Sequence, residues 1–172
     1  MKFLIKLIFT LAAVGILSCS SDKICSDSTP SPSVAVEFYK DTINKKTGKH
    51  DVFKYTLPDT LTVQGVGTDS IVVKPERNLQ RVLLPPNIMT DNCTYVFTIY
   101  KLNPKSGVRE MTKDELKFTY ERKSQFVSHE CGFKFDFLNT TFEATENRFD
   151  SLETLQKDIT NEGQTALRIY FK

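Results

Sequence analysis

Residues 116–121 read Leu-Lys-Phe-Thr-Tyr-Glu, so that Leu116, Phe118 and Tyr120 alternate with Lys117, Thr119 and Glu121. Successive side chains of an extended strand point to opposite faces, and large apolar groups on one phase of a two-residue period mark a strand half-buried against a core. The period recurs in both directions along the chain. Towards the start, Val34, Val36 and Phe38 alternate with Ala35, Glu37 and Tyr39. Leu61 and Val63 lead through a Gly65-Val66-Gly67 turn to Ile71 and Val73, and Val82 and Leu84 precede Pro85-Pro86. Residues 94–102 are apolar on both faces through Tyr95, Val96, Phe97, Ile99 and Tyr100, as a central strand requires. Towards the end, Phe133, Phe135 and Phe137 alternate with Lys134 and Asp136, and Leu167, Ile169 and Phe171 with Arg168 and Tyr170. Short strands separated by Gly, Pro and Asn predict an all-β fold: an antiparallel β-sandwich, immunoglobulin-like or related, with a small β-barrel as the alternative. Residues 151–160 fit two patterns. Leu152, Leu155 and Ile159 have helical spacing, but a hairpin into the last strand needs them extended, and the extended reading is preferred. No internal repeat is evident.

The chain has 172 residues, 40% hydrophobic and 26% charged, which suits one globular domain and excludes wholesale disorder. Its opening differs from the rest. Lys2 and Lys6 precede an apolar run of about eleven residues, half of the roughly 20 needed to span a bilayer as a helix, so the segment reads as a secretory signal. Ile16-Leu17-Ser18-Cys19 resembles a bacterial lipobox, which implies cleavage before Cys19 and acylation of that residue. Two or three acyl chains are enough for stable attachment, so the mature protein is expected at the outer membrane. The polar Ser20-Ser21-Asp22 that follows resembles a weak form of the surface-export signal of Bacteroidota lipoproteins. The expected organisation is a signal peptide at 1–18, the lipidated Cys19 and a flexible tether over 19–33, and the β domain over 34–172.

The whole chain has 23 basic and 21 acidic side chains, and loss of Lys2 and Lys6 leaves 21 of each. A neutral domain argues against nucleic acid as a partner and leaves membrane affinity to the acyl chains. With Cys19 consumed, Cys25, Cys93 and Cys131 allow one intramolecular disulfide and one leftover thiol. Cys25 with Cys131 would pin the tether to the domain, and Cys93 with Cys131 is the alternative. The only histidines are His50 and His129, and no metal-ligand spacing accompanies them, so neither a metal nor another cofactor is expected.

No nucleophile elbow, phosphate loop or dinucleotide fingerprint occurs, and no enzymatic activity is expected. His129 and Cys131 would share a face of a strand, which makes a nucleophile pair conceivable, but Cys131 is read as packed or paired. Asp114-Glu115 reads as a solvated pair in a polar loop. The phenylalanines at 133, 135 and 137 read as core, with an apolar ligand cavity as the rival. Six tyrosines keep glycan stacking open.

Asp27-Ser28-Thr29, Asp41-Thr42-Ile43, Asp59-Thr60-Leu61, Asp69-Ser70-Ile71 and Asp150-Ser151-Leu152 resemble the O-glycosylation sequence of Bacteroidota, which marks Ser28, Thr42, Thr60, Ser70 and Ser151 as candidate sites. Turn chemistry alone also favours such residues. Four pieces together resemble an uncharacterised family of small Bacteroidota lipoproteins known only as a domain of unknown function. They are Cys19 followed by Asp22-Lys23-Ile24-Cys25, residues 65–71, Phe126-Val127-Ser128 leading to Cys131-Gly132-Phe133, and the closing Arg168-Ile169-Tyr170-Phe171. The resemblance implies a lipid-anchored β domain with Cys25 and Cys131 as the recurring pair and Cys93 as the leftover thiol. It carries no activity. The function expected is a non-catalytic interaction or envelope-assembly module whose partner is an envelope protein or glycan; the alternative is a binding protein for a small apolar ligand or glycan.

Overall fold

A computed structural model describes residues 31–172 apart from Asp69, Glu130, Asn161 and Glu162. Among the described residues ten strands form: β1 (Val34–Ile43), β2 (His50–Lys54), β3 (Thr60–Gly65), β4 (Ile71–Glu76), β5 (Arg81–Leu84), β6 (Asn92–Leu102), β7 (Arg109–Ser128), β8 (Gly132–Ala144), β9 (Phe149–Thr154) and β10 (Thr165–Phe171). One sheet runs β2-β1-β10-β9, with β5 also on β1, and the other runs β4-β3-β6-β7-β8. Neither closes into a barrel, and the two pack face to face as a β-sandwich. As its two apolar faces require, β6 is the middle strand of its sheet.

The described pairings are antiparallel with one exception: β1 runs parallel to β10, matching Val36 with Leu167 and Tyr39 with Tyr170. Strand alternation sets which face is buried but says nothing of direction, so an antiparallel reading could not anticipate this pairing.

The inward phase of each strand supplies the core. Phe38, Phe97, Phe118, Phe137 and Phe149 are fully buried together with Leu61, Leu116, Leu167 and Ile169. Their rings meet edge to face, Phe38 on Phe171 at 5.3 Å, Phe97 on Phe149 at 5.3 Å and Tyr120 on Phe137 at 5.0 Å. Each buried phenylalanine contributes about 2–3 kcal/mol through removal of apolar surface from water.

The phenylalanine stripe at 133–137 is only partly core: Phe137 is fully buried, but Phe135 is half-buried and Phe133 is 63% exposed. The reason is length. β7 has 20 residues against 10 in β1 and 7 in β10 of the facing sheet, so the β7–β8 hairpin runs past that sheet and its alternation continues where nothing covers it. Within residues 151–160, β9 pairs antiparallel with β10, and Ile159 then forms a bridge to Phe137 on β8. Leu152 and Ile159 are thus drawn to the core by an extended chain that bends, not by a helix.

Two hairpins share one turn. Ile43-Asn44-Lys45-Lys46-Thr47-Gly48 joins β1 to β2, and Leu102-Asn103-Pro104-Lys105-Ser106-Gly107 joins β6 to β7. In each, the asparagine side-chain oxygen accepts from the amide two residues on, Lys46 at 3.0 Å and Lys105 at 3.0 Å. The asparagine carbonyl accepts from the glycine amide, at 2.8 and 2.9 Å, and the glycines sit at φ 69° and 68°. Left-handed backbone is why glycine stands there. The same short turn chemistry therefore serves both hairpins.

Along β8, Phe137 and Ile159 exchange main-chain hydrogen bonds and the Thr140 amide donates to the Lys157 carbonyl. The end of the tether joins them. Pro32 is buried, and the Ser31 hydroxyl accepts from the Phe135 amide at 2.9 Å.

Candidate functional site

Where the edges of the two sheets approach each other, β8 and β9 leave a groove of about 410 Å³. Its floor is Phe142, Ala144, Phe149 and Leu152, and its rim is Glu143, Thr145, Glu146, Asp150 and Ser151. The floor is packed against the core: Phe142 stands edge-on to Phe118 at 5.2 Å, and Phe149 is wedged between Phe97 and Phe171. The acidic rim residues and Ser151 stand at the solvent boundary. An apolar floor with a partly acidic rim suits an apolar group carrying a hydrogen-bond donor.

The lip of this groove is held by Asp114. Read as a solvated loop residue, it instead lies within β7 and is 1% exposed, on the same phase as Leu116, Phe118 and Tyr120. Its carboxylate accepts from the Thr145 hydroxyl at 2.9 Å and from the amides of Asn147, Arg148 and Phe149 at 2.7, 2.8 and 3.3 Å. A buried carboxylate with so many donors is a staple for the chain crossing from one sheet to the other. Glu115, its neighbour, points outward and is exposed.

The outer face of the other sheet carries two cross-strand rows. Lys54, Tyr39, Tyr170 and Ser151 stand side by side on β2, β1, β10 and β9, and Glu37, Arg168 and Glu153 stand beside them. Arg168 stacks on the Tyr39 ring at 4.6 Å and reaches Glu153 at 3.2 Å, while the Tyr170 hydroxyl donates to Glu153 at 2.7 Å. The hydrogen bond from Tyr170, then the one from Arg168, holds the Glu153 carboxyl below the usual carboxylate range.

On the core-facing side of β6 and β7, the Tyr120 hydroxyl donates to the Asn87 carbonyl at 2.9 Å and Tyr95 donates to the Pro85 carbonyl. Cys93 lies between these tyrosines as a free thiol, and burial pushes its pKa up. That makes it a poor nucleophile.

The other residues singled out from sequence are scattered. His129 lies in the β7–β8 turn with its ring against Phe126 at 5.5 Å, so it does not share a strand face with Cys131. Cys131 is not available as a thiol. Cys19, Cys25 and Ser28 lie outside the described residues. Thr42 is half-buried on β1, Thr60 half-buried at the start of β3, Ser70 exposed after the β3–β4 turn, and Ser151 exposed on the groove rim. Among the described residues no group of His, Cys, Asp and Glu is arranged to hold a metal ion, and no helix is long and apolar enough to cross a membrane. The groove and the Asp114 staple were not anticipated; the even-numbered phase 114, 116, 118, 120 was the available signal.

A family model described as a family of unknown function (DUF6452) matches residues 60–171, from the start of β3 to the end of β10. No curated protein and no solved structure matches the chain.

Proposed function

The chain belongs to this family of unknown function, DUF6452, and from that premise we propose that it is a lipid-anchored outer-membrane protein whose β-sandwich is a non-catalytic interaction or assembly module. The observation that carries the reading is the docking of residues 31–33 on β8: the chain arriving from the signal and lipobox side is fastened to the domain through Ser31 and Pro32. A disulfide from Cys25 to Cys131 would extend that fastening. It is supported by Cys131 not being available as a thiol while Cys93, the other described cysteine, is free. The non-catalytic reading is supported by the use made of the reactive side chains: Asp114 holds a chain crossing, Glu153 holds a surface row, and Cys93 is enclosed by tyrosines. The exposure of Ser70 and Ser151 supports glycosylation there over Thr42 and Thr60, which are half-buried. Replacing Cys19 by alanine tests the anchor. The variant is expected in the soluble fraction, and sedimentation with membranes would refute it.

The β8–β9 groove favours a second reading, a binding site for a small apolar ligand or the apolar face of a glycan. Leu152→Arg would close the floor; a ligand that co-purifies with the wild type and persists in this variant would refute the assignment.

A further inference from the structure

The tip of the β7–β8 hairpin exposes Phe126 by 57%, Val127 by 38% and Phe133 by 63%. Phe126 and Phe133 are cross-strand partners whose rings meet at 5.5 Å, forming one small apolar knob beyond the cover of the facing sheet. The tether fixes what this knob can reach. Ser31 is fastened at Phe135, opposite Ser124 and two residues from Phe133. Twelve residue-to-residue steps lead from Cys19 to Ser31. As a coil they average about 20 Å, and fully extended they reach about 40 Å. The other end of the hairpin is much further away, because β7 has 20 residues and covers about 65 Å from Arg109 to Ser128.

We propose that the hairpin tip is a membrane contact, with Phe126, Val127 and Phe133 seated in the headgroup region of the bilayer that holds Cys19. This rests on the lipid-anchor reading and adds an orientation to it: the hairpin tip faces the lipid and the two asparagine–glycine turns point away. Aromatic and aliphatic groups on a short loop suit the interface between water and acyl chains, where a shallow apolar contact adds to a covalent anchor.

The protein contains no tryptophan, so a single introduced indole reports its own surroundings. Phe133→Trp and, as the distant control, Val108→Trp would be made in the full acylated chain and reconstituted into phosphatidylethanolamine–phosphatidylglycerol vesicles. Both positions are exposed, and circular dichroism would verify that both variants fold. Flotation with the vesicles reads the anchor, and quenching by brominated acyl chains reads the contact. The expected result is flotation of both variants, with the indole emission of Phe133→Trp lowered roughly twofold and that of Val108→Trp unchanged. Flotation of Phe133→Trp without quenching would overturn the contact and leave the anchor standing, whereas loss of flotation would overturn both. A blue shift in Phe133→Trp that appears without vesicles and grows with protein concentration would assign the knob to a second copy of the chain and overturn the lipid contact.

Discussion

Replacing Asp114 by alanine removes the acceptor for one hydroxyl and three main-chain amides at the point where the chain crosses between sheets. The donors do not suffer equally. Thr145, Asn147 and Arg148 lie within reach of solvent, so water can replace the carboxylate for them, at a net loss of about 0.5–1 kcal/mol each. Phe149 is 1% exposed, and its amide would stay without a partner, a cost of about 1–2 kcal/mol. The total is about 2.5–5 kcal/mol, a large share of the roughly 5–15 kcal/mol that holds a domain folded. Urea titration should show a lower midpoint at unchanged slope, and Tm should fall by about 10 °C. Hydrogen exchange gives the local readout: the amides of residues 147–149, bonded to Asp114, should be protected in the wild type and exchange faster in the variant at denaturant levels where the rest stays closed. A loss below about 1 kcal/mol with those amides still protected would refute the staple.

Three further outcomes follow from other parts of the fold. Gly48→Ala and Gly107→Ala should each cost about 1 kcal/mol, and by similar amounts, because nothing surrounds either position and only the left-handed backbone is strained; thermal melts that separate them widely would contradict a shared turn. Glu153 has a folded pKa below its ordinary value of 4.5, so its contribution is present above that pH and lost as pH falls through the folded value. The Tm gap between wild type and Glu153→Gln should therefore narrow below pH 4.5, and a gap that stays constant far below that pH would refute the linkage. Cys93, with its thiol pushed up by burial, should react with a disulfide reagent at mildly alkaline pH roughly tenfold more slowly than an exposed thiol; reaction at the exposed-thiol rate would contradict its enclosure.

Most of the sandwich was legible in the alternation of Leu116, Phe118 and Tyr120 and its recurrences, since period two is imposed by the pleat wherever one face is buried. Several features escaped for physical reasons. β2 is exposed at all five positions, so it has no apolar contrast to read and is set instead by the Asn44 turn. Phe133 kept the alternation of a core strand beyond the end of the core, because the pattern reports strand geometry and not what lies opposite. Asp114 was mistaken for a loop residue because charge outweighed phase; its even-numbered register already placed it inward, where only a set of donors could hold it. The candidate groove was not legible at all, because Phe142 and Leu152 are brought together by the crossing between sheets and not by any local spacing.

The proposed arrangement is a domain held to a membrane by Cys19 and pinned to its tether, with Cys93 the one thiol left over. Intact mass of the mature protein extracted from membranes, alkylated with and without prior reduction, tests it most directly. The expected result is a chain beginning at Cys19 with acyl chains attached, one alkylated thiol without reduction and three after it. An unacylated chain with a different start, or three thiols alkylated without reduction, would contradict it.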